Sequence, residues 1–391
     1  MKKIYSIELK QTFAKRLQNA RRICGLSQSE LVDKMKQLAN MCPYIYKAVS
    51  STAIERYENA VMFPEDDAIM VTIAKALNTN VGNLTRTFKV DIDCSQFEFR
   101  KKSKLGKKAQ EAIKLKIQQR IEKYIEIENI MGIEPKFDLD FSDIEVRTPA
   151  DARRIAIKIR EKWKLGMGPI AQPILILESH GVKVIEVKED IELFDGTSNM
   201  VQGIPVVVLN SNDEPCDNPK HQNSAERRNL TLFHELGHKV MNIPDDIVNK
   251  DRENLCNVFA NEMLIPSDTF TKIFGEKRSM ISSWELKDVQ REFGISVRAL
   301  MMKAVQLGVV TKSRYSWFCI TLNKAENEEF RKKMDASAIQ TQHTSRYDRL
   351  VYRALASDTI STSKAAELLD ISVSKLSENL NFETAYGCNN C

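Results

Sequence analysis

Two histidines one helical turn apart, His234 and His238, constrain this chain of 391 residues more than any other feature. Residues at positions i and i+4 lie on the same face of an α-helix, so the two imidazoles can bind one metal ion together. Glu235 lies between them and can reach a water molecule on that ion. The flanking residues are apolar and predict a buried helix: Leu230, Leu232, Phe233, Leu236 and Val240. A metal would satisfy both imidazoles, since a buried polar group without a partner costs roughly 1–3 kcal/mol.

A second amphipathic stretch supplies a third ligand. It begins at Glu253, and Pro266 is expected to end it. Its core-facing positions have helical spacing: Leu255, Cys256, Phe259, Met263 and Leu264. Glu253 is expected in the first turn, where a carboxylate also suits the helix dipole, so an ordinary N-terminal acid is the other interpretation. The histidine pair favours the ligand, because two histidines, one carboxylate and an open position for water form a catalytic zinc site.

These motifs together resemble the ImmA/IrrE family of zincin-like metallopeptidases. The matching runs are His234-Glu-Leu-Gly-His238, Glu253-x-x-Cys-Asn-x-Phe-Ala260 and Leu264-Ile-Pro266, with Cys256 where the family usually has Ala and Ile265 where Met is common. Residues 168–182 resemble the opening of that domain, and residues 205–210 resemble the strand before its active-site helix. The resemblance covers residues from about 150 to 270.

The mechanism that the resemblance implies also follows from the chemistry of the residues. Zn²⁺ would bind His234, His238 and Glu253 and would lower the pKa of a bound water to about 7. Glu235 would accept the proton of that water and pass it to the departing amine. The strand at 206–209 would either pair with an extended substrate or be a plain core strand. The sequence does not identify a transition-state stabiliser, and the alternatives are His221, Arg227 and Tyr315.

Composition indicates a globular protein of a reducing compartment. The hydrophobic fraction is 42% and the charged fraction 28%, and the chain is long enough for two or three domains. No signal peptide is evident, and no stretch approaches the roughly 18 apolar residues of a membrane helix. Eight scattered cysteines are typical of reduced thiols, and Cys388 and Cys391 have pair spacing only within a polar tail. We therefore expect a cytoplasmic protein without a membrane partner.

Residues 8–85 contain a second pattern. Apolar residues recur at helical spacing, Gly25-Leu26-Ser27-Gln28 interrupts them, and Ser27 and Glu30 have the spacing of a capping box. With the run Val49-Ser-Ser-Thr-Ala-Ile-Glu-Arg-Tyr-Glu-Asn59, the segment resembles the helix-turn-helix of lambda-repressor-like, xenobiotic-response-element (XRE) type regulators. By that resemblance Gln28 and Arg56 lie near phosphates. The residues that begin the recognition helix and face base edges are then Ser50, Ser51, Thr52 and Ala53.

Three departures from that pattern leave a second interpretation open. About ten extra residues, 38–48, separate the second and third helices, and Ala60 replaces the usual glycine. Glu55 adds an acid near the groove, although a carboxylate can accept from cytosine N4. The alternative is a helical domain that retains only protein contacts. DNA binding is the prediction.

The remaining segments are predicted to be helical. The basic run from 100 to 123 is either a solvated helix face or a surface that follows a nucleic-acid backbone. The polar stretch 323–345 predicts a linker or an exposed helix. Residues 360–376 predict two short helices around a turn at Asp370, which we interpret as a helical cap.

The predicted fold class is α+β, mostly helical. An all-α helix-turn-helix DNA-binding domain at 1–90 and a basic helical linker at 91–148 precede a zincin-like α+β metallopeptidase domain at 149–275, and a helical C-terminal region at 276–391 follows. The predicted function is that of a zinc-dependent regulatory endopeptidase that binds DNA and cleaves a repressor- or antitoxin-type partner, or itself. A homodimer is compatible with this, since repressor-type domains often bind two half-sites. The alternatives are a DNA-binding regulator with a structural or sensory zinc site, and a scaffold that binds neither.

Overall fold

The computed structural model describes residues 6–87, 92, 97, 106–189, 194–211 and 224–387. Over these residues the chain is mostly helical with one small sheet, which confirms the predicted α+β class. None of the described helices is both long and apolar enough to cross a membrane. His221, Cys388 and Cys391 lie outside the described residues.

The chain divides into two compact units. A helical unit combines residues 1–94, 105–134 and 345–391, and a mixed unit combines residues 95–104 and 135–344. Both ends of the chain therefore contribute to the helical unit. The division into compact units does not show what each part of the chain does. The domain boundaries given in the sequence analysis therefore stay a prediction.

The helical unit consists of nine described helices. They are α1 (Ile7–Ile23), α2 (Gln28–Met41), α3 (Ser51–Glu58), α4 (Asp67–Ala76), α5 (Val81–Thr85), α6 (Lys107–Ile130), α16 (Arg346–Ala356), α17 (Thr362–Leu369) and α18 (Val373–Gly387). The predicted capping box at the start of α2 is confirmed, because the Glu30 N–H donates to Ser27 Oγ and the Ser27 N–H donates to Glu30 Oε2. The predicted turn at Asp370 is also confirmed, with a left-handed residue between α17 and α18.

Buried ion pairs connect the two chain ends within the helical unit. Glu122 of α6 accepts from Arg16 of α1 at 3.2 Å and from Arg86 at 2.9 Å. At the next residue of α6, Lys123 Nζ lies 2.5 Å from Asp370 Oδ1. Lys123 is therefore buried, which differs from a solvated position, whereas Lys107, Lys108 and Arg120 are exposed, as expected for a solvated basic face.

The mixed unit contains nine described α-helices and one sheet. The helices are α7 (Pro149–Lys162), α8 (Pro173–Ser179), α9 (Ala225–Val240), α10 (Asn249–Leu264), α11 (Ser267–Phe274), α12 (Ser283–Phe293), α13 (Val297–Gln306), α14 (Lys312–Asn323) and α15 (Glu328–Asp335), and the strands are β1 (Lys183–Val187), β2 (Gly196–Val201) and β3 (Ile204–Asn210). The polar stretch 323–345 includes α15, most of whose side chains are exposed, as expected.

The sheet has the order β1-β3-β2. β3 runs parallel to β1 and antiparallel to β2, and Gln202 and Gly203 connect β2 to β3 with φ values of 52° and 77°. Positive φ at both residues of a two-residue loop is the geometry of a type I′ hairpin. Because β3 already has a strand on each side, residues 206–209 cannot accept a substrate strand. That part of the prediction is wrong, and β3 is a core strand.

Helix α10 begins four residues earlier than the sequence indicated. It starts at Asn249, so Glu253 lies in its second turn rather than its first. The reason is local, since Val248 is the N-cap and Asp251 supplies the acidic residue of the first turn. The expected end is confirmed, because Ile265 is the C-cap immediately before Pro266.

Candidate metal centre

Helices α9 and α10 bring His234, His238 and Glu253 together. Within the described ranges, these three form the one group of His, Cys, Asp and Glu side chains with metal-ligand geometry, with ligand atoms within 4.8 Å of one another. The two Nε2 atoms are 3.1 Å apart. His234 Nε2 lies 3.4 Å from one Glu253 oxygen, and His238 Nε2 lies 3.3 Å from the other. The three residues predicted as ligands therefore converge.

The distances fit a tetrahedral zinc ion. Zinc bonds of 2.0–2.1 Å to nitrogen and oxygen at tetrahedral angles place the ligand atoms about 3.3 Å apart. The observed separations of 3.1, 3.3 and 3.4 Å lie close to that value. Glu253 and His238 are partly exposed while His234 is buried, so solvent reaches part of the site. The donor set fits a zinc site that keeps one position for water.

Each imidazole is oriented through its other nitrogen. His234 Nδ1 lies 2.9 Å from Asn257 Oδ1, and His238 Nδ1 lies 3.4 Å from Cys256 Sγ. An amide oxygen and a thiol sulfur can both accept a hydrogen bond, so each contact is compatible with the tautomer that a metal ligand needs, with the hydrogen on Nδ1. In that tautomer both Nε2 lone pairs would point at each other and at a carboxylate. Three converging acceptors would repel one another without a cation between them, so this tautomer suits a metal centre.

The charge state of Glu253 also suits a ligand. When the Nε2 atoms carry the hydrogens instead, hydrogen bonds from His234 and then His238 lower the pKa of Glu253 far below its usual range, against the opposing effect of burial. The carboxylate is therefore ionised at any physiological pH. A metal ligand must be deprotonated, so Glu253 requires no proton release before it binds.

Glu235 is held by a serine that the sequence analysis did not identify. Ser198 of β2 donates from Oγ to Glu235 Oε2 at 2.7 Å, and the backbone oxygen of Glu235 lies 3.1 Å from the same Oγ. Both side chains are buried, so water does not compete strongly for these contacts. The bond leaves Oε1 of Glu235 without this restraint. No local signal in the sequence links Ser198 to Glu235, because the contact depends on β2 packing against α9.

A close approach between α9 and α10 sets the separation of the ligands. A Cβ atom at Gly237 would lie 2.9 Å from Phe259 Cδ1 and 3.3 Å from Met241 Cε. Only glycine therefore allows the ring of Phe259 to pack against this turn of α9. The contact places Glu253, six residues before Phe259 on α10, opposite the two histidines.

Asn257 was also missed, although a signal existed. It follows the ligand Glu253 by four residues and so lies on the same face of α10. The run Glu253-x-x-Cys-Asn thus presents one ligand and two orienting groups from adjacent turns of one helix.

The structure describes two of the three alternatives for a transition-state stabiliser, Arg227 and Tyr315. Arg227 lies on α9, where its Nη2 pairs with Asp195 at 2.6 Å. Tyr315 lies on α14, where its hydroxyl contacts Cys319. His221 lies outside the described residues. Arg227 remains a candidate, since seven residues separate it from His234 and place both on one face of α9.

The residues predicted to contact DNA lie on α2 and α3. Ser50 caps α3 by accepting the Ala53 N–H, Ser51 and Thr52 are exposed, and Ala53 is partly buried. Gln28 donates to Glu58 Oε2 at 2.9 Å. Arg56 is exposed, with Nη1 at 3.8 Å from Met62 Sδ. The first turn of α3 and Arg56 are thus available to a ligand, while Gln28 already uses one amide hydrogen.

The fold and the site together describe a metallopeptidase-type domain. Residues 177–304 match the peptidase family model described as the IrrE N-terminal-like domain. The matched segment contains Ser198, Glu235 and all three converging ligands, and it extends beyond the predicted limit of residue 275 to include α12 and most of α13. No curated protein matched the chain. The match supports the ImmA/IrrE part of the resemblance and does not extend to the N-terminal helices.

Proposed function

We propose that the chain is a zinc-dependent regulatory endopeptidase. The observation that carries the proposal is the convergence of His234, His238 and Glu253 at tetrahedral separations, with Glu235 held on the same helix. A structural site would need four protein ligands and no neighbouring base. Three ligands with an adjacent carboxylate favour catalysis.

The residues of the chain have separate roles in peptide hydrolysis. Bound zinc would acidify a water ligand and polarise the scissile carbonyl. Glu235 accepts the proton of the attacking water on Oε1, since Oε2 is engaged by Ser198, and then donates it to the departing amine. Asn257 and Cys256 keep the hydrogens of His234 and His238 on Nδ1, so both Nε2 atoms remain available.

We further propose that the N-terminal helices bind DNA. Arg21 donates two hydrogen bonds to Glu58, at 2.6 and 2.7 Å, and so anchors the end of α3 to α1. The exposed first turn of α3 carries Ser51 and Thr52, whose hydroxyls can contact base edges or phosphates. Gln28 retains a second amide hydrogen for a phosphate. These features support recognition by a helix in the major groove.

The proposed substrate is a repressor- or antitoxin-type protein. The support is the family resemblance together with the linked DNA-binding helices. A protease tethered near DNA-bound regulators meets them at a raised effective concentration. The alternative is a transcription regulator whose zinc site is structural or sensory and has no turnover.

The peptidase proposal is tested with Glu235→Gln. Wild type and variant are produced in the source organism, and new protein N-termini are compared by mass spectrometry. We expect N-termini that require Glu235, while both proteins bind one zinc per chain. Identical N-terminal profiles in the two strains would favour the structural or sensory site. Intact mass of the purified, zinc-loaded protein separately reveals self-cleavage.

The DNA proposal is tested with double-stranded DNA from upstream of the chain's own gene. Arg56→Ala should weaken binding and reduce the slope of log K against log salt concentration by about one. Lys375→Ala is the matched control, since it removes one exposed positive charge from α18 of the same unit. Equal binding by wild type and Arg56→Ala would contradict a role for α3, and absence of binding would favour a protein-binding domain.

A further inference from the structure

Cys256 contacts the metal centre without being a ligand. Its side chain is fully buried on α10, and its Sγ lies 3.4 Å from His238 Nδ1. The three residues that matter for the centre, Glu253, Cys256 and Asn257, follow the i, i+3, i+4 spacing and share one face of the helix. Cys256 therefore contacts Nδ1 of His238, just as Asn257 contacts Nδ1 of His234.

The two imidazoles differ in how much packing restrains them. The side chain of His234 is 2% exposed, while that of His238 is 21% exposed. The ring of His234 is fixed by its surroundings and by a hydrogen bond of 2.9 Å to Asn257. His238 is less enclosed, so its orientation depends more on the contact at Nδ1. In the described structure, the group at that position is the Cys256 sulfur.

A sulfur at position 256 can accept a hydrogen bond from His238, and the methyl group of an alanine cannot. The thiol sulfur can accept the Nδ1 hydrogen, and that contact favours the tautomer whose Nε2 lone pair is free for a metal. Alanine, the usual residue in the family that the chain resembles, leaves Nδ1 without an acceptor at this position. The hydrogen bond is thus a feature of this chain rather than of the general pattern.

We propose that Cys256 is a positioning residue that orients His238 and thereby tightens zinc binding. It acts through His238 and touches neither substrate nor metal. The inference rests on the proposed zinc site. A purely structural role would make Cys256 a small core side chain between its apolar neighbours, with an effect on stability but none on metal affinity.

The test compares Cys256→Ala, Cys256→Ser and Cys256→Val in the full chain. Zinc affinity is measured by competition with a chromophoric chelator, and the Co²⁺-substituted proteins are compared by visible absorption. We expect Cys256→Ala and Cys256→Val to bind zinc about tenfold more weakly and to change the Co²⁺ spectrum. Serine offers an acceptor oxygen and should restore most of the affinity. Cys24→Ala, which removes a thiol from the helical unit, should leave both readouts unchanged.

Two outcomes separate the inference from the proposed function. Wild-type zinc affinity in both Ala and Val variants would overturn the positioning role and leave the peptidase proposal intact. If the Ala variant does not fold, the serine and valine variants decide, and equal affinity in those two overturns the inference. A wild-type chain that binds no zinc overturns the zinc peptidase, and the inference with it.

Discussion

Ser198 Oγ lies 2.7 Å from Oε2 of Glu235, so a strand of the sheet fixes the carboxylate that stands beside the metal ligands. β2 carries Ser198 and packs along α9, which carries Glu235. The bond restrains the carboxylate, and both side chains are buried. It also defines which oxygen is left for proton transfer. The general base is therefore oriented by the sheet and not only by its helix.

Removal of this hydroxyl should slow cleavage while zinc stays bound. A hydrogen bond to a charged group contributes about 1.5–3 kcal/mol, so Ser198→Ala should lower kcat by about tenfold to a hundredfold. KM should change little, because Ser198 touches the base and not the substrate. The measurement is kcat and KM on the substrate that the N-terminal comparison identifies. Ser198→Thr keeps the hydroxyl and is the control, and unchanged kcat in Ser198→Ala would contradict the positioning of Glu235.

Zinc should stabilise the mixed unit selectively. All three tryptophans, Trp163, Trp284 and Trp317, belong to that unit, so tryptophan fluorescence reports its unfolding alone. Free zinc at a hundred times Kd should raise the free energy of unfolding by about 2.7 kcal/mol, because the native site binds and the unfolded chain does not. Urea unfolding with zinc and with chelator measures this shift.

His234→Ala is the control for the zinc effect. The variant lacks the most buried ligand, so its fluorescence transition should be the same with zinc and with chelator. A shift of equal size in the variant would place the stabilising zinc elsewhere in the chain.

Much of the site could be predicted from sequence because its spacing is local. His234, Glu235 and His238 lie on one helix, and Glu253 is marked by its own amphipathic stretch. Ser198 could not be predicted in this way, because its contact with Glu235 depends on which face of β2 packs on α9. The central position of β3 was missed for a similar reason, since the order of strands in a sheet is set by non-local pairing.

The fold of the chain ends was also beyond sequence reasoning. Residues 360–376 predict a helical cap, but the sequence does not say what they cap. The structure places them with α1 to α6, where Lys123 binds Asp370 and Arg346 binds Glu128 at 2.7 Å. Such pairs join residues more than two hundred positions apart, and a basic run alone does not show which of its charges are buried.

Gly237 should be intolerant of alanine. In an exposed helix interior, Gly to Ala stabilises by about 1 kcal/mol. At Gly237 the new Cβ would lie 2.9 Å from Phe259, and such overpacking costs about 1–3 kcal/mol. We expect Gly237→Ala to destabilise the mixed unit in urea and to weaken zinc binding, because relief of the clash moves α10 away from α9. A variant more stable than wild type would show that the close approach does not set the ligand separation.

Asp370→Asn should destabilise the helical unit, and the effect should depend on pH. Asparagine tolerates the left-handed backbone of residue 370, where φ is 58°, so the change removes charge with little strain. The side chain of Lys123 is 4% exposed and that of Asp370 is 38% exposed. The expected loss at pH 7.5 is about 1–3 kcal/mol, between the values for exposed and fully buried pairs. Far-UV circular dichroism during urea unfolding measures it, with tryptophan fluorescence of the mixed unit as the internal control.

The sign of the pH dependence follows from Lys123. Burial lowers the pKa of Lys123 to about 8, below the 10.5 of an unfolded lysine. Between these values the unfolded chain binds more protons, so this group's contribution to stability is lost as pH falls through 8 and regained as pH rises toward 10.5. When the Lys123 amine is neutral, the charge of the Asp370 carboxylate no longer stabilises it. The difference in unfolding free energy between wild type and Asp370→Asn should therefore shrink from pH 7.5 to pH 9.5, and an equal difference at both pH values would show that the charge of Lys123 is not what Asp370 stabilises.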